Sequence, residues 1–257
     1  MILRRASLPQ HFPRGLLQPE GSFRFSADAL LLAAFAPGEE ARRAADLGTG
    51  CGVVAFGLAL RFPELLCTGI DKEAALIETA RANAQTLGLG ARVAFEQGDV
   101  ADNSLLACLG RESCELVTAN PPYRVSGTGR RIISPTRARA LEASPGSCTD
   151  FVRAAAFLLR RHGRFACVFL PARLGDALAA LRAARLEPRR LRFVHPRPGA
   201  KAGLVLVEAR KDARPDLAVD APLILYPDAR GKTLGQDALA FCPWLATSRK
   251  QRECGPA

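Results

Sequence analysis

Ala44-Ala45-Asp46-Leu47-Gly48-Thr49-Gly50-Cys51-Gly52-Val53 is the stretch on which the fold turns. A short apolar run, Ala44 to Leu47, reads as a strand that ends in glycines at alternate positions. A helical pattern, Val53 to Arg61, opens at once behind them. Glycines at such a turn remove the Cβ atoms that would hold a ligand away from the backbone. The spacing is G-x-G-x-G with an acid two residues upstream, which differs from the G-x-G-x-x-G that seats a diphosphate on a helix N-terminus. Asp46 is expected to point a negative charge at the space left by the turn, so a cationic ligand is favoured.

Working outward, the same strand-then-helix alternation recurs. Leu65 to Ile70 reads as a strand closed by Asp71, and Glu73 to Leu87 as a helix stopped by Gly88. Val93 to Glu96 and Leu116 to Ala119 are further strands. Phe151 to Arg160 reads as a helix, Arg164 to Leu170 as a strand, and Leu174 to Arg185 as a helix. Arg190 to His195 and Ala202 to Ala209 form a closing strand pair. This alternation predicts an α/β fold, a doubly wound and mostly parallel seven-stranded sheet with a terminal antiparallel strand. Residues 1–215 are expected to form the main domain, with 216–257 a partly irregular extension. The stretch from Arg124 to Asp150 reads as a long loop beside the site.

Two further acids stand at strand ends. Asp71 lies about 20 residues beyond the turn, where an acid accepts from ribose hydroxyls. Asp99, in Gln97-Gly98-Asp99-Val100, is placed to accept from the exocyclic amine of adenine. One acid for an ammonium, one for a ribose and one for an adenine describe S-adenosylmethionine. Gly48, Thr49, Gly50, Gly52, Lys72 and Val100 complete the expected cofactor set.

The fourth strand runs straight into Asn120-Pro121-Pro122-Tyr123. Neither proline can donate a ladder hydrogen bond, so the strand stops there and leaves an amide at its carboxyl end. Ligands bind at that end of open α/β sheets. The Asn120 side-chain oxygen and the Pro121 carbonyl can together accept both hydrogens of a planar NH2 group, while Tyr123 stacks on the ring that carries it. Asn120 is also placed to touch the cofactor.

The 257-residue chain is 48% hydrophobic with a formal charge of +11, as expected of a globular protein with a full core. No apolar stretch reaches the length of a membrane span. The N-terminus leads into Pro9, His11 and Pro13 instead of an apolar signal core, so a cytoplasmic protein is expected. The eight cysteines contain no C-x-x-C pair and no histidine at ligand spacing, which points to structural thiols without a metal. His11, His162 and His195 are isolated, and no Ser/His/Asp grouping stands out.

Charge is uneven. Residues 1–120 carry 11 basic and 14 acidic side chains, whereas residues 121–215 carry 20 and 6. Such an excess attracts a polyanion such as RNA, although a GC-rich genome would also favour arginine. Arg130 and Arg131 in the loop, and Arg189, Arg190, Arg192, Arg197 and Lys201 on the closing strands, are the candidate phosphate contacts.

The glycine turn, the three acids and Asn-Pro-Pro-Tyr together resemble the class I S-adenosylmethionine-dependent methyltransferases, in their amino-methylating branch. The segment Gln18 to Phe35, with Phe23-Arg24-Phe25-Ser26-Ala27-Asp28, is similar to the one before the glycine turn in the bacterial tRNA(Val) adenine-N6 methyltransferase family. The resemblance covers about Gln18 to Arg210. It implies a Rossmann-like fold, S-adenosylmethionine as cofactor, tRNA as partner, and a cofactor-closing role for Phe25, Ser26 and Asp28 within residues 1–40. A release-factor-type glutamine-N5 methyltransferase and a guanine-N2 rRNA methyltransferase share the motif and remain alternatives. The former usually carries a helical domain ahead of the turn, where about 45 residues stand here. A noncatalytic RNA-binding protein with this fold is the third alternative, disfavoured by the intact Asp46, Asp71 and Asn120.

Overall fold

The computed structural model describes residues 11–19, 27–121, 145–228 and 233–248. Seven strands carry the sheet: β1 (Arg43–Leu47), β2 (Leu66–Asp71), β3 (Val93–Gln97), β4 (Cys114–Ala119), β5 (Leu159–Phe169), β6 (Leu186–His195) and β7 (Leu204–Lys211). Two-residue strands β8 (Ala218–Val219) and β9 (Leu223–Ile224) extend it along β6, so the described sheet has nine strands where seven were expected. The order is β3-β2-β1-β4-β5-β7-β6-β8, and every pairing is parallel except those of β7 with β5 and β6. The expected antiparallel strand is β7, the last long strand in chain order, and it lies between β5 and β6. The chain leaves β1 towards β2 on one side and returns to β4 on the other. That reversal is the switch point at which a crevice opens beyond the strand ends.

Both faces of the sheet are covered, which is why the strands read as continuous apolar runs. Along β4, Leu116 faces one cluster, built on α1 (Ala27–Phe35), α2 (Val53–Arg61) and α3 (Ala74–Thr86). Val117 and Ala119 face the other, which includes α5 (Pro145–Leu158) and α6 (Leu174–Ala183). On that second side α4 (Asn103–Leu109) contributes Leu106.

Three local features depart from the sequence reading. Helix α5 begins at Pro145, inside the stretch expected to be loop, and passes directly into β5 at Leu159. His162 takes a left-handed φ of 63° there, and the register of β5 against β4 shifts between Leu159 and Arg164. Helix α4 is only seven residues long and is started by Asp102, whose side chain accepts from the Ser104 N–H at 2.8 Å.

The third departure is the C-terminal stretch, which enters the core. Helix α7 (Gln236–Phe241) and the turn after it bury Ala238, Cys242, Trp244 and Leu245. The Trp244 ring meets Phe12 edge to face at 5.3 Å, and the Thr247 hydroxyl donates to the Phe12 carbonyl. A Cβ at Gly57 would lie 2.6 Å from Ala33, so glycine lets α1 and α2 approach closely under Trp244. Weak periodicity hid this stretch because one short helix and a turn cannot show a repeating apolar face.

The segment 11–19 is pinned at its far end by Asn83 of α3, a residue only 1% exposed. Its Oδ1 accepts from the Leu17 N–H at 2.8 Å, and its Nδ2 donates to the carbonyls of Leu17 at 3.1 Å and Cys51 at 3.2 Å. One buried amide thus joins the N-terminal segment to the glycine turn. Asn83→Ala strands three backbone groups, and urea unfolding is expected to show a loss of about 2 kcal/mol. A loss below about 0.5 kcal/mol would mean that water replaces the amide without cost.

Candidate active site

The parallel register brings the expected residues to one end of the sheet. Asp46 lies opposite Gly69 of β2 and Thr118 of β4, and Leu47 lies opposite Ala119. The glycine turn that follows Leu47 and the Asn120-Pro121 pair that follows Ala119 therefore leave adjacent strands side by side. Asp71 closes β2 opposite Gln97, two residues before Asp99. Asn120 is half-buried and Pro121 buried.

The turn needs its glycines. Gly48, Gly50 and Gly52 have φ of 65°, 58° and 92°, in the left-handed region that favours glycine. A Cβ at Gly48 would press on the Phe151 ring of α5 at 3.0 Å, whereas one at Gly50 would meet no described atom within 4 Å. Among the described residues, the turn is therefore open at Gly50. The Gly50 N–H donates to Asp71 Oδ2 at 2.9 Å, and the Thr49 N–H donates to the Ile70 carbonyl at 2.9 Å.

Asp46 is placed differently from the expectation. It is 1% exposed and does not offer its carboxylate to open space. Oδ1 accepts from the Thr118 hydroxyl and Oδ2 from the Thr49 hydroxyl, each at 2.7 Å. The charge therefore sits behind the turn and acts through it. Burial raises the Asp46 carboxyl to about 6 and the nearby charge of Asp71 adds to this, while the two hydroxyls and the Ala55 N–H restrain the rise. Burial likewise raises Asp71, against the N–H donors of Glu73 and Gly50. Among the described residues neither acid forms an ion pair. Two acids held by N–H and O–H donors make a site suited to a cation.

Asp71 keeps partial exposure, and a carboxylate that takes two N–H donors retains lone pairs for a diol. Asp99 is exposed and braces its own turn by accepting from the Ala101 N–H at 2.9 Å. Val100 beside it is buried, and Lys72 is exposed. Asp28 is half-buried in the first turn of α1. Phe25, Ser26, Pro122, Tyr123, Arg130 and Arg131 lie outside the described residues.

The sequence reading missed Thr118, Asn83 and Phe151. Thr118 alone gave a signal, as a hydroxyl inside an otherwise apolar strand end. The other two act through contacts between distant segments. Among the described residues no group of three or more His, Cys, Asp or Glu side chains could hold a metal ion. No described helix is long and apolar enough to cross a membrane.

The arginines of the expected phosphate-contacting row have contacts within the chain. Arg190 donates to the Phe35 carbonyl at 2.8 Å, lies over the Phe35 ring at 4.1 Å and pairs with Glu208 at 3.2 Å. It caps the carboxyl end of α1, where helix carbonyls lack partners. Arg192 lies over the Phe241 ring of α7 at 4.5 Å. Arg189 pairs with Asp216 and donates to the Arg214 carbonyl, and Arg197 donates to the Asp228 carbonyl over Tyr226. These arginines tie the flanking segments to the sheet, and Lys201 is exposed on the β6–β7 hairpin. An open depression of 590 Å³ lined by Arg161, Arg185, Glu187, Asp212 and Ala213 lies at the opposite end of the strands, where Arg185 and Asp212 pair at 2.9 Å.

Residues 25–172 match the family model of the methyltransferase small domain. The tRNA1(Val) (adenine(37)-N6)-methyltransferase of Porphyromonas gingivalis is 32% identical over 216 residues, 80% of this chain and 82% of that protein. The chain belongs to this methyltransferase family. It is a class I S-adenosylmethionine-dependent methyltransferase, and S-adenosylmethionine is its cofactor. Among solved structures, a predicted O-methyltransferase from Agrobacterium tumefaciens superposes with a TM-score of 0.70 at 25% identity, over 84% of this chain and 96% of that one. The geranyl diphosphate C-methyltransferase of Streptomyces coelicolor A3(2) shares the fold, with a TM-score of 0.52 at 14% identity over 72% of this chain and 77% of that one. Within the methyltransferase, Gly50 with no Cβ, the half-exposed Asp71 and the buried charge of Asp46 fit a cofactor that carries a sulfonium, an ammonium and a ribose.

Proposed function

We propose that this methyltransferase acts on the exocyclic N6 amino group of an adenine in tRNA. The observation that carries the reading is the pairing of Leu47 with Ala119, which sets Asn120-Pro121 beside the glycine turn. The name of the Porphyromonas gingivalis relative supports both the nucleobase and the class of RNA.

The bound cofactor supplies an electrophilic methyl group on a positively charged sulfur. Gly48, Gly50, Asp71, Asp99 and Val100 would hold it, with Lys72 flanking the ribose acid. The adenine amine is a weak nucleophile because its lone pair is delocalised into the ring. The Asn120 side-chain oxygen and the Pro121 carbonyl would accept hydrogen bonds from its two N–H groups, weaken that conjugation and aim the lone pair along the line of displacement; the neutral thioether leaves and the extra proton on the methylated nitrogen passes to water. Positioning and fixed dipoles supply the acceleration without a strong base. Tyr123 would stack on the base once it is splayed from its loop. Arg130, Arg131 and Lys201 are proposed as phosphate contacts. Residues 1–215 would form the catalytic domain, and 216–257 an extension whose Cys242 thiol, just after helix α7, donates to the Leu30 carbonyl of α1.

Methyl transfer from tritiated cofactor to unmodified tRNA, rRNA and protein fractions tests the substrate class. Label is expected in tRNA, and label confined to protein would replace this reading with a glutamine-N5 one.

A further inference from the structure

Thr118 is fully buried two residues before Asn120, in a strand end where its neighbours Val117 and Ala119 are apolar. Valine has nearly the same shape and would pack there without a polar atom to satisfy. The hydroxyl instead donates at 2.7 Å to Asp46 Oδ1, the residue opposite it in register. The other carboxylate oxygen accepts from Thr49, at the centre of the glycine turn. One carboxylate thus joins the strand that ends in Asn120 to the turn that receives the cofactor. We propose that Thr118 is a positioning residue for methyl transfer, holding through Asp46 both the charge behind the glycine turn and the seat of Asn120 against it. The second half of that role rests on the function proposed above for Asn120, whereas the first half concerns the cofactor alone.

Among the described residues, the groups that face Asp46 are few. They are the hydroxyls of Thr49 and Thr118, the Ala55 N–H of α2, the Asp71 carboxyl at the end of β2 and the Cys67 thiol within β2. Without the Thr118 hydroxyl, Oδ1 loses its donor in a site that water does not reach. The carboxylate form is then less favoured, and the charge behind the turn is lost at a higher pH.

The test is calorimetric titration of the full chain with S-adenosylmethionine between pH 5 and pH 8, without RNA. Wild-type affinity is expected to fall as the pH drops through about 6. Thr118→Val should move that midpoint upward by about one unit, weakening binding about twofold at pH 7 and more steeply below it, and Thr118→Ser should restore it. Thr118→Ala against Thr118→Ser gives the same comparison at smaller volume should the valine variant fold poorly. Repeating the titration with S-adenosylhomocysteine, which lacks the sulfonium charge but keeps the ammonium, should lessen the dependence without abolishing it. A midpoint unchanged in folded Thr118→Val or Thr118→Ala would overturn the proposal and leave Thr118 a packing residue. Because no RNA is present, the outcome stands whether or not adenine proves to be the methylated base.

Discussion

Asn120→Ala is expected to lower kcat for methyl transfer by about 10²–10³-fold, the range seen when one fixed polar group is removed from a developing charge. Cofactor affinity should stay within about threefold of wild type, because the turn and Asp71 keep their hydrogen bonds. The reason lies in how β4 ends. Ala119 still pairs with Leu47, so the strand reaches the same point, but Pro121 supplies no N–H and alanine no acceptor. One of the two oxygens proposed to hold the amine disappears while the other remains, which predicts loss of rate without loss of fold. Single-turnover measurement with saturating cofactor reads this directly. Turnover within threefold of wild type would remove Asn120 from the chemistry.

Asp46→Asn is expected to stabilise the protein while impairing it. A carboxyl raised from its usual 3.8 to about 6 binds its proton more tightly in the folded chain than in the unfolded one. The sign follows from linkage: between those values the native state carries more protons, so its stability falls as pH rises. Below about pH 4 the residue costs nothing on this account, and above 6 the full cost, about 3 kcal/mol, is present. Asparagine is nearly isosteric and neutral, and threonine hydroxyls can accept as well as donate. Urea unfolding of the variant should therefore exceed wild type by up to about 3 kcal/mol at pH 7.5 and match it near pH 4. Affinity for the cationic cofactor should fall at the same neutral pH, since the turn loses the charge behind it. Equal stability at both pH values would show that Asp46 is solvated or paired in a way its burial denies. A site that gives up stability for a ligand's charge is a common bargain in enzymes.

Much of this was legible in the sequence because it is local. The turn from Asp46 to Gly52 lies in consecutive residues, and its glycines take left-handed conformations. The alternation of strands and helices located the sheet, and helix Val53–Arg61 appears with the limits its apolar run suggested. Features that depend on distant segments were not legible. Asp46 was read as facing open space, because nothing in its neighbourhood announces that Thr118, 72 residues away, will stand opposite it. The contacts that the β6 arginines make within the chain were not legible either, since a basic run looks the same whether it meets phosphate or caps a helix. Arg190 finds the Phe35 carbonyl 155 residues away, and only folding brings the two together. Helix α7 and Trp244 escaped for a related reason, as their apolar residues serve Phe12 and α1 and not a repeating face of their own.

On the function proposed above, the same geometry divides the site into a cofactor half and an amine half joined by one buried carboxylate. The cofactor half rests on acids satisfied by neutral donors, which leaves their field for a bound cation. The amine half rests on a strand end at which a proline removes the donor and leaves acceptors. An NH2 group with two hydrogens to give is the substrate that such acceptors suit, and a hydroxyl, with only one, uses half of them.

The most direct measurement is the identity of the nucleoside formed. Unmodified tRNA treated with the enzyme and S-adenosylmethionine, digested and analysed by mass spectrometry, should contain N6-methyladenosine that is absent when Asn120→Ala is used. N2-methylguanosine in its place, or methylated nucleosides unaffected by that substitution, would contradict the account.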